Sequence, residues 1–272
     1  MSIITVSRGS FSGGKILAEC VAQKLGHRCV DREVIVERAA AFGVSEESIR
    51  EALDKPPRFL ERFSHSRYLY LTLIQAALTE EVRDGMAVYH GNAGHLLLRG
   101  GPHILRVRII APLEFRIRMA QDRLKFSREE AIAYIHKVDQ DRQKWTQFLY
   151  GVDWGDPALY DIVLNLEHVE MDEACSVICA LARERCFEIT PKCKQKLENM
   201  VLASRVRASL AIHPSTSDLE VEVSASDGVV AIHGKLPTVN RLKEVESVAS
   251  AVPGVTSVQL DSMTLPVGSL TH

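Results

Sequence analysis

The sequence predicts an α/β protein: a mainly parallel sheet with helices on both faces, followed by a small α+β module. Two features of the first part of the chain carry this expectation, and a third separates the module from it. Short apolar strands alternate with stretches of helical periodicity up to about Cys186, the pattern of successive βαβ units. A glycine-rich turn, Gly9-Ser10-Phe11-Ser12-Gly13-Gly14-Lys15, joins the first strand to the first helix. Beyond Asn199 the pattern changes to short alternating strands around a tight turn. With 272 residues, 46% of them apolar and 25% charged, the chain can bury a sizeable core and divide into two domains.

The elements follow in order. Ile3 to Val6 is a short apolar run and reads as a buried strand. After the glycine turn, KILAECVAQKLG places apolar residues at helical spacing, with Gly26 as the stop. Cys29-Val30 is a second strand. Asp31 to Leu53 is helical and broken by Gly43; Ser45 caps the restart, and Glu46 and Glu47 place negative charge in its first turn. Pro56-Pro57 interrupts, and a long helical pattern runs from Arg58 to Asp84. Met86 to His90 and Ile104 to Ala111 are strands, and Pro112 opens the next helix. Ser127 and Glu130 have the spacing of a capping box for a polar helix ending near Lys144. Tyr160 to Leu166 is the last strand of this half, and Asp172 to Cys186 its last helix.

The polar, lysine-rich stretch TPKCKQKLEN reads as a boundary and equally as the start of a solvated helix, two readings that are compatible; the expected domains are 1–189 and 200–268 with a linker at 190–199. After it come a helix (Val201 to Ile212), the strand LEVEVSA, a turn at Ser226-Asp227-Gly228, the strand VVAIHG, a helix (Val239 to Val252) and the strand VTSVQL. That order is αββαβ with one hairpin.

Composition narrows the function classes. A net charge of −2 gives no global electrostatic reason to expect nucleic-acid or membrane binding. No basic n-region with an apolar h-region opens the chain, and no apolar run approaches the ~20 residues of a membrane span, so a cytoplasmic protein is expected. The six cysteines form no CxxC pair and the ten histidines no HExxH spacing, so no protein-bound metal is expected. Cys175 and Cys179, one helical turn apart, read as buried reduced thiols.

The turn after the first strand satisfies G-x-x-x-x-G-K, the phosphate-binding P-loop. Glycines let successive backbone N–H groups face a phosphate, and the helix that follows adds partial positive charge. Gly9, Ser10, Phe11, Ser12, Gly13, Gly14, Lys15 and Ile16 are therefore candidate nucleotide-binding residues, with Lys15 bridging the β- and γ-phosphates. The motif ends in Ile16 where P-loop enzymes carry the Ser/Thr that holds Mg²⁺, leaving Ser10 and Ser12 as the nearest hydroxyls.

Taken together in order, ITVSRGSFSGGKILAECVAQKLG, VDREVI, AVYHGNAGHLLL, LRVRIIAPLEFRIRMAQDR, KVDQDRQKW and GDPALYDIVLN resemble the cytidylate-kinase-like family over residues 2–185. The resemblance implies a P-loop kinase fold that moves a phosphoryl group from ATP, with nucleotide-bound Mg²⁺, to a nucleoside monophosphate such as CMP. It also implies site roles. Asp31, Arg32 and Asn92 fall on acceptor-binding positions, Arg116 on the arginine near the donor nucleotide, and Asp139 and Arg142 on the lid motif. Lys15, Arg116, Asp139 and Arg142 are thus the candidate catalytic residues. The sequence departs from the family pattern where Asn92 replaces an arginine and Gly9 an acidic residue. Residues 201–265, carrying DGVVAIHG and VPGVTSVQ, resemble a BON domain, a module that implies a protein or lipid partner. Two function classes follow: a phosphotransferase, and a nucleotide-binding sensor that signals through the BON-like unit.

Overall fold

A computed structural model describes residues 2–54, 65–91, 93–101, 103–236, 238, 240–260 and 263–264. The described chain forms β1 (Ile3–Arg8), α1 (Gly14–Leu25), β2 (Arg28–Asp31), α2 (Arg32–Ala40), α3 (Glu46–Asp54) and α4 (His65–Val82). It continues through β3 (Ala87–His90), α5 (Gly94–Leu97), β4 (Ile104–Ile110), α6 (Leu113–Leu124), α7 (Arg128–Tyr150), β5 (Ile162–Asn165) and α8 (Met171–Ala182). It closes with α9 (Pro191–Ile212), β6 (Val221–Ser226), β7 (Val229–Lys235), α10 (Asn240–Ser250), β8 (Ser257–Gln259) and β9 (Met263–Thr264). Two compact units result. One gathers the described residues up to Ile35 and from Asp84 to Thr190; the other gathers Val36–Ala52, the described part of 59–83, and the residues from Pro191 onward.

The first unit is built on a five-stranded sheet in the order β2-β3-β1-β4-β5, parallel throughout. β1 is central because Ile3, Ile4 and Val6 are apolar and fully enclosed, as a strand covered on both faces requires. In β4 the fully buried Leu105, Val107 and Ile109 alternate with half-buried neighbours, among them Arg106 and Arg108. One core joins these strands to α1 and α8 through Leu17, Val21, Ala174, Cys175, Ile178 and Cys179, so both thiols are buried as expected. Strand order reverses at β1, which lies between β3 and β4, and ligand crevices form outside the carboxyl ends of strands at such a point. The glycine turn leaves β1 at that end.

Helix boundaries follow local chemistry. Gly26 closes α1 in the left-handed region at φ 66°. Ser127 and Glu130 form the expected capping box: Ser127 Oγ accepts from Glu130 N at 3.2 Å, and Ser127 N donates to Glu130 Oε2 at 2.8 Å. The helix it starts outruns the expected end at Lys144 and continues to Tyr150, because Trp145 and Thr146 are buried in its last turns and Gly151 supplies the stop.

In the second unit α9 is one unbroken helix that takes in residues 191–199, in keeping with the reading of that polar stretch as a helix start. Cys193 and Leu197 are buried, which sequence polarity does not reveal. α9 runs along α4, with Arg207 Nη1 donating to Gln75 Oε1 at 3.1 Å and Arg205 paired to Glu80. Tyr68 of α4 pins the start of β6: its hydroxyl donates to Val221 O at 2.8 Å and accepts from Val221 N at 3.0 Å. The β6–β7 hairpin turns on Asp227 (φ 51°) and Gly228 (φ 86°), the two positive-φ positions of a type I′ turn. The αββαβ order is as the sequence predicts, with one addition: β9 pairs in parallel with the end of β7. No helix among the described residues is long and apolar enough to cross a membrane.

Candidate active site

The turn between β1 and α1 is shaped by two positive-φ residues, Phe11 (59°) and Gly13 (83°). The fully buried Ser12 holds it internally: its backbone N donates to Gly9 O at 3.3 Å, and its hydroxyl contacts Gly9 O at 3.0 Å and Ile109 O at 3.4 Å. Gly14 is required by close approach, since a Cβ there would lie 2.6 Å from Arg8 Cδ and 2.8 Å from Arg8 Cβ. The start of α1 carries no acidic residue to compete for its free N–H groups.

Two arginines and an aspartate clamp this turn from α6 and α7. Arg116 Nε donates to Ser10 O at 2.7 Å, and its Nη2 donates to Asp139 Oδ2 at 2.5 Å. Asp139 Oδ1 accepts from both the backbone N and the hydroxyl of Ser10, each at 3.3 Å. The Arg116 guanidinium lies against Gly9, where a Cβ would be 3.2 Å from Cζ. Glycine there leaves room for this approach. Arg142 donates to Arg8 O at 2.9 Å and stands 3.9 Å from Asp139.

Beside the turn lies a cleft of about 160 Å³ lined by Arg8, Ser10, Phe11, Gly13, Lys15 and Arg123 with side chains of α6 and α7, among them Tyr134 and Arg142. Burial and then the neighbouring Arg123 hold the Arg8 pKa below its usual value. Burial and then Arg8 push Arg142 down to about 10. Both stay charged at neutral pH, so their mutual repulsion favours an anion between them. Lys15 projects from the first turn of α1 with its ammonium 3.8 Å from Glu19 Oε1.

The structure gathers Gly9 to Lys15, Arg116, Asp139 and Arg142 at one site. Ile16 is adjacent but solvent-facing, 41% exposed. Asp31 ends β2 in register with His90, at the same carboxyl end of the sheet as the turn, and its Oδ1 accepts from Val34 N at 3.0 Å, capping α2. Arg32 follows it, half-buried, as the first residue of α2. Asn92 lies outside the described residues. At the position after Lys15, Ile16 offers magnesium no oxygen; the nearest hydroxyls are Ser12, which contacts carbonyls, and Ser10, which contacts Asp139. Among the described residues no group of three or more His, Cys, Asp or Glu side chains could hold a metal. Arg8 and Arg123 are not among the candidate site residues named from sequence, although Arg8 stands immediately before the glycine turn. Arg8 could have been singled out as a cation adjoining a phosphate motif; the position of Arg123 depends on how α6 packs.

A parallel sheet with such a turn after its central strand, clamped by arginines, defines the P-loop kinase-like class of fold. The sequence profile of the cytidylate kinase-like family matches residues 3–168, and that of the BON domain matches residues 200–265. The chain belongs to the cytidylate kinase-like family. The cytidylate kinase of Ignicoccus hospitalis is 28% identical over 169 residues, covering 61% of this chain and 90% of its own length. That of Methanopyrus kandleri is 27% identical over 188 residues, covering 65% and 91%. A solved structure, that of an uncharacterized protein from Eubacterium ventriosum, shares the fold with a TM-score of 0.54 at 18% identity, covering 68% of this chain and 100% of that one.

Proposed function

We propose that this protein transfers the γ-phosphoryl group of ATP to a nucleoside monophosphate of the CMP kind. The observation that carries the reading is the clamped glycine turn facing a cleft lined by Arg8, Lys15, Arg123 and Arg142. Phosphoryl transfer needs positioned positive charge more than acid–base chemistry. An acceptor phosphate oxygen attacks the γ-phosphorus in line, the bond to the β–γ bridging oxygen breaks, and ADP leaves. In this reading the turn's N–H groups and Lys15 hold the β- and γ-phosphates, and Arg8, Arg123 and Arg142 offset charge on the transferring group. Arg116 and Asp139 act through the turn, as positioning residues. Magnesium enters as part of the ATP substrate.

Asp31 and Arg32, at the same carboxyl end of the sheet as the turn, are assigned with Asn92 to the acceptor. The domain limits that go with this reading are 1–189 for phosphotransfer and 200–268 for the BON-like module. The module carries a partner-binding role, toward protein or lipid. Purified protein should convert ATP and CMP to ADP and CDP, and Lys15→Ala should lower the rate by about 100-fold or more, the scale of losing one transition-state charge contact. ATP binding that depends on Lys15 without phosphorylation of any nucleoside monophosphate would overturn the reading.

A further inference from the structure

A second pocket opens at the carboxyl ends of β1 and β3, and its most unusual wall is His95. This side chain is 93% buried, with 7% of its surface exposed, and neither ring nitrogen has a hydrogen-bond partner among the described residues. Buried polar groups are nearly always paired, and an orphan of this kind calls for an explanation. The imidazole leans on the Tyr160 ring, with centroids 4.8 Å apart, and faces a cavity that also touches Ser7, Arg8, Arg142 and Trp154. Burial, then Arg106 and Arg108, push its pKa down to about 4. At neutral pH it therefore offers one N–H donor and one nitrogen acceptor, and no charge.

The frame around it is closely packed and hydrogen-bonded. Tyr89 is fully buried beneath the turn from β3 to α5, so close that a Cβ on Gly91 or Gly94 would lie 2.3 Å from its ring atoms or hydroxyl. Tyr160 donates its hydroxyl to Trp154 O at 2.7 Å and lies 3.2 Å from Ser7 Oγ. Arg108 donates to Trp154 O at 2.5 Å and stacks its guanidinium 4.1 Å from the Trp154 ring centroid. The pocket thus has two arginines (Arg8, Arg142) and one carboxylate (Asp141), an aromatic wall (Trp154) and a neutral hydrogen-bonding group (His95). Phosphate, base and a polar base edge or hydroxyl are the three chemistries of a nucleoside monophosphate.

Taking this pocket as part of the acceptor site, we propose that His95 is the residue that reads a neutral hydrogen-bonding group on the acceptor nucleotide. The proposal rests on the phosphotransfer reading above and adds a specificity residue to it. The enclosed cavity measures only about 20 Å³, about the room of one water molecule. An acceptor must therefore widen it. Trp154, half-buried on the turn between α7 and β5, forms the aromatic wall of the pocket.

The test uses the full chain with CMP as probe. His95→Phe should raise the KM or Kd for CMP about tenfold, the size of one hydrogen bond, while the KM for ATP and the Tm do not fall. His95→Gln should recover part of the CMP affinity. In the wild type, CMP should shift the NMR signals of the His95 ring nitrogens, a readout that needs neither turnover nor a folded variant. Turnover by the wild type with an unchanged CMP KM in His95→Phe, or His95 signals that ignore saturating CMP, overturns the inference and leaves the phosphotransfer reading standing. CMP binding that His95→Phe weakens, without phosphorylation, upholds the pocket and overturns phosphotransfer. If CMP does not bind, both fall.

Discussion

Replacing Arg116 with alanine should loosen the glycine turn without touching its glycines. The guanidinium makes two directed contacts, to Ser10 O at 2.7 Å and Asp139 Oδ2 at 2.5 Å, and it lies against Gly9. The ion pair is part-buried, with side chains 14% and 26% exposed. Breaking a buried pair by removing one partner costs ~3–5 kcal/mol and an exposed one ~0–1, which places this change at about 2 kcal/mol. Urea denaturation would read that cost, and a calorimetric titration with ATP should show about tenfold weaker binding, because the turn is no longer pre-organised. Asp139→Ala removes the other half of the same contact, so the double variant should cost about 1–2 kcal/mol less than the sum of the two. Arg116→Lys should rescue little, since one ammonium cannot serve both Ser10 O and the carboxylate as the planar fork does. Additivity of the two alanine changes within about 0.5 kcal/mol, with ATP affinity intact, would refute the clamp.

Two further outcomes are expected. Gly14→Ala places a methyl group 2.6–2.8 Å from Arg8; the side chain must leave the cleft, and ATP binding should fall at least tenfold with a smaller loss of stability, as paired titration and thermal melts would show. His90 and His95 are each held neutral with a pKa of about 4, in both cases chiefly by burial; Arg8 is the next cause for His90 and Arg106 for His95. Their folded values lie below the unfolded value of ~6.5, so the unfolded chain takes up protons first as pH falls. Stability is complete above ~6.5 and is lost on the way down to about 4, by about 2–3 kcal/mol for the pair between pH 7.5 and 5.5. Equal unfolding free energies at those two pH values would contradict this.

What could be read from the chain alone was local. The glycine turn, the Gly26 stop, the Ser127–Glu130 capping box and the Asp227-Gly228 hairpin each depend on a few neighbouring residues. The expectations that needed revision have a common cause. The overrun of α7 to Tyr150, and the burial of Cys193 and Leu197 in a stretch read as solvated, depend on which side chains find cover, and polar composition conceals that Trp145, Cys193 and Leu197 do. β9 has two residues and no periodicity of its own. It exists because β7 offers it an edge.

By itself, the sequence determined that a parallel sheet would form and that a phosphate-binding turn would follow its first strand. Hydrophobic period and turn chemistry act within a few residues and need no partner from elsewhere in the chain. Only the tertiary structure decided what surrounds that turn. The Asp139 carboxylate reaches Ser10 across 129 positions of chain, and Arg142 reaches the Arg8 carbonyl across 134. The imidazole of His95, without a hydrogen-bond partner among the described residues, is set against Tyr160, also far along the chain. Charge pairing and burial are properties of where segments come to rest. Clamp, cationic cleft and orphan histidine become visible once the sheet has brought the carboxyl ends of its strands together.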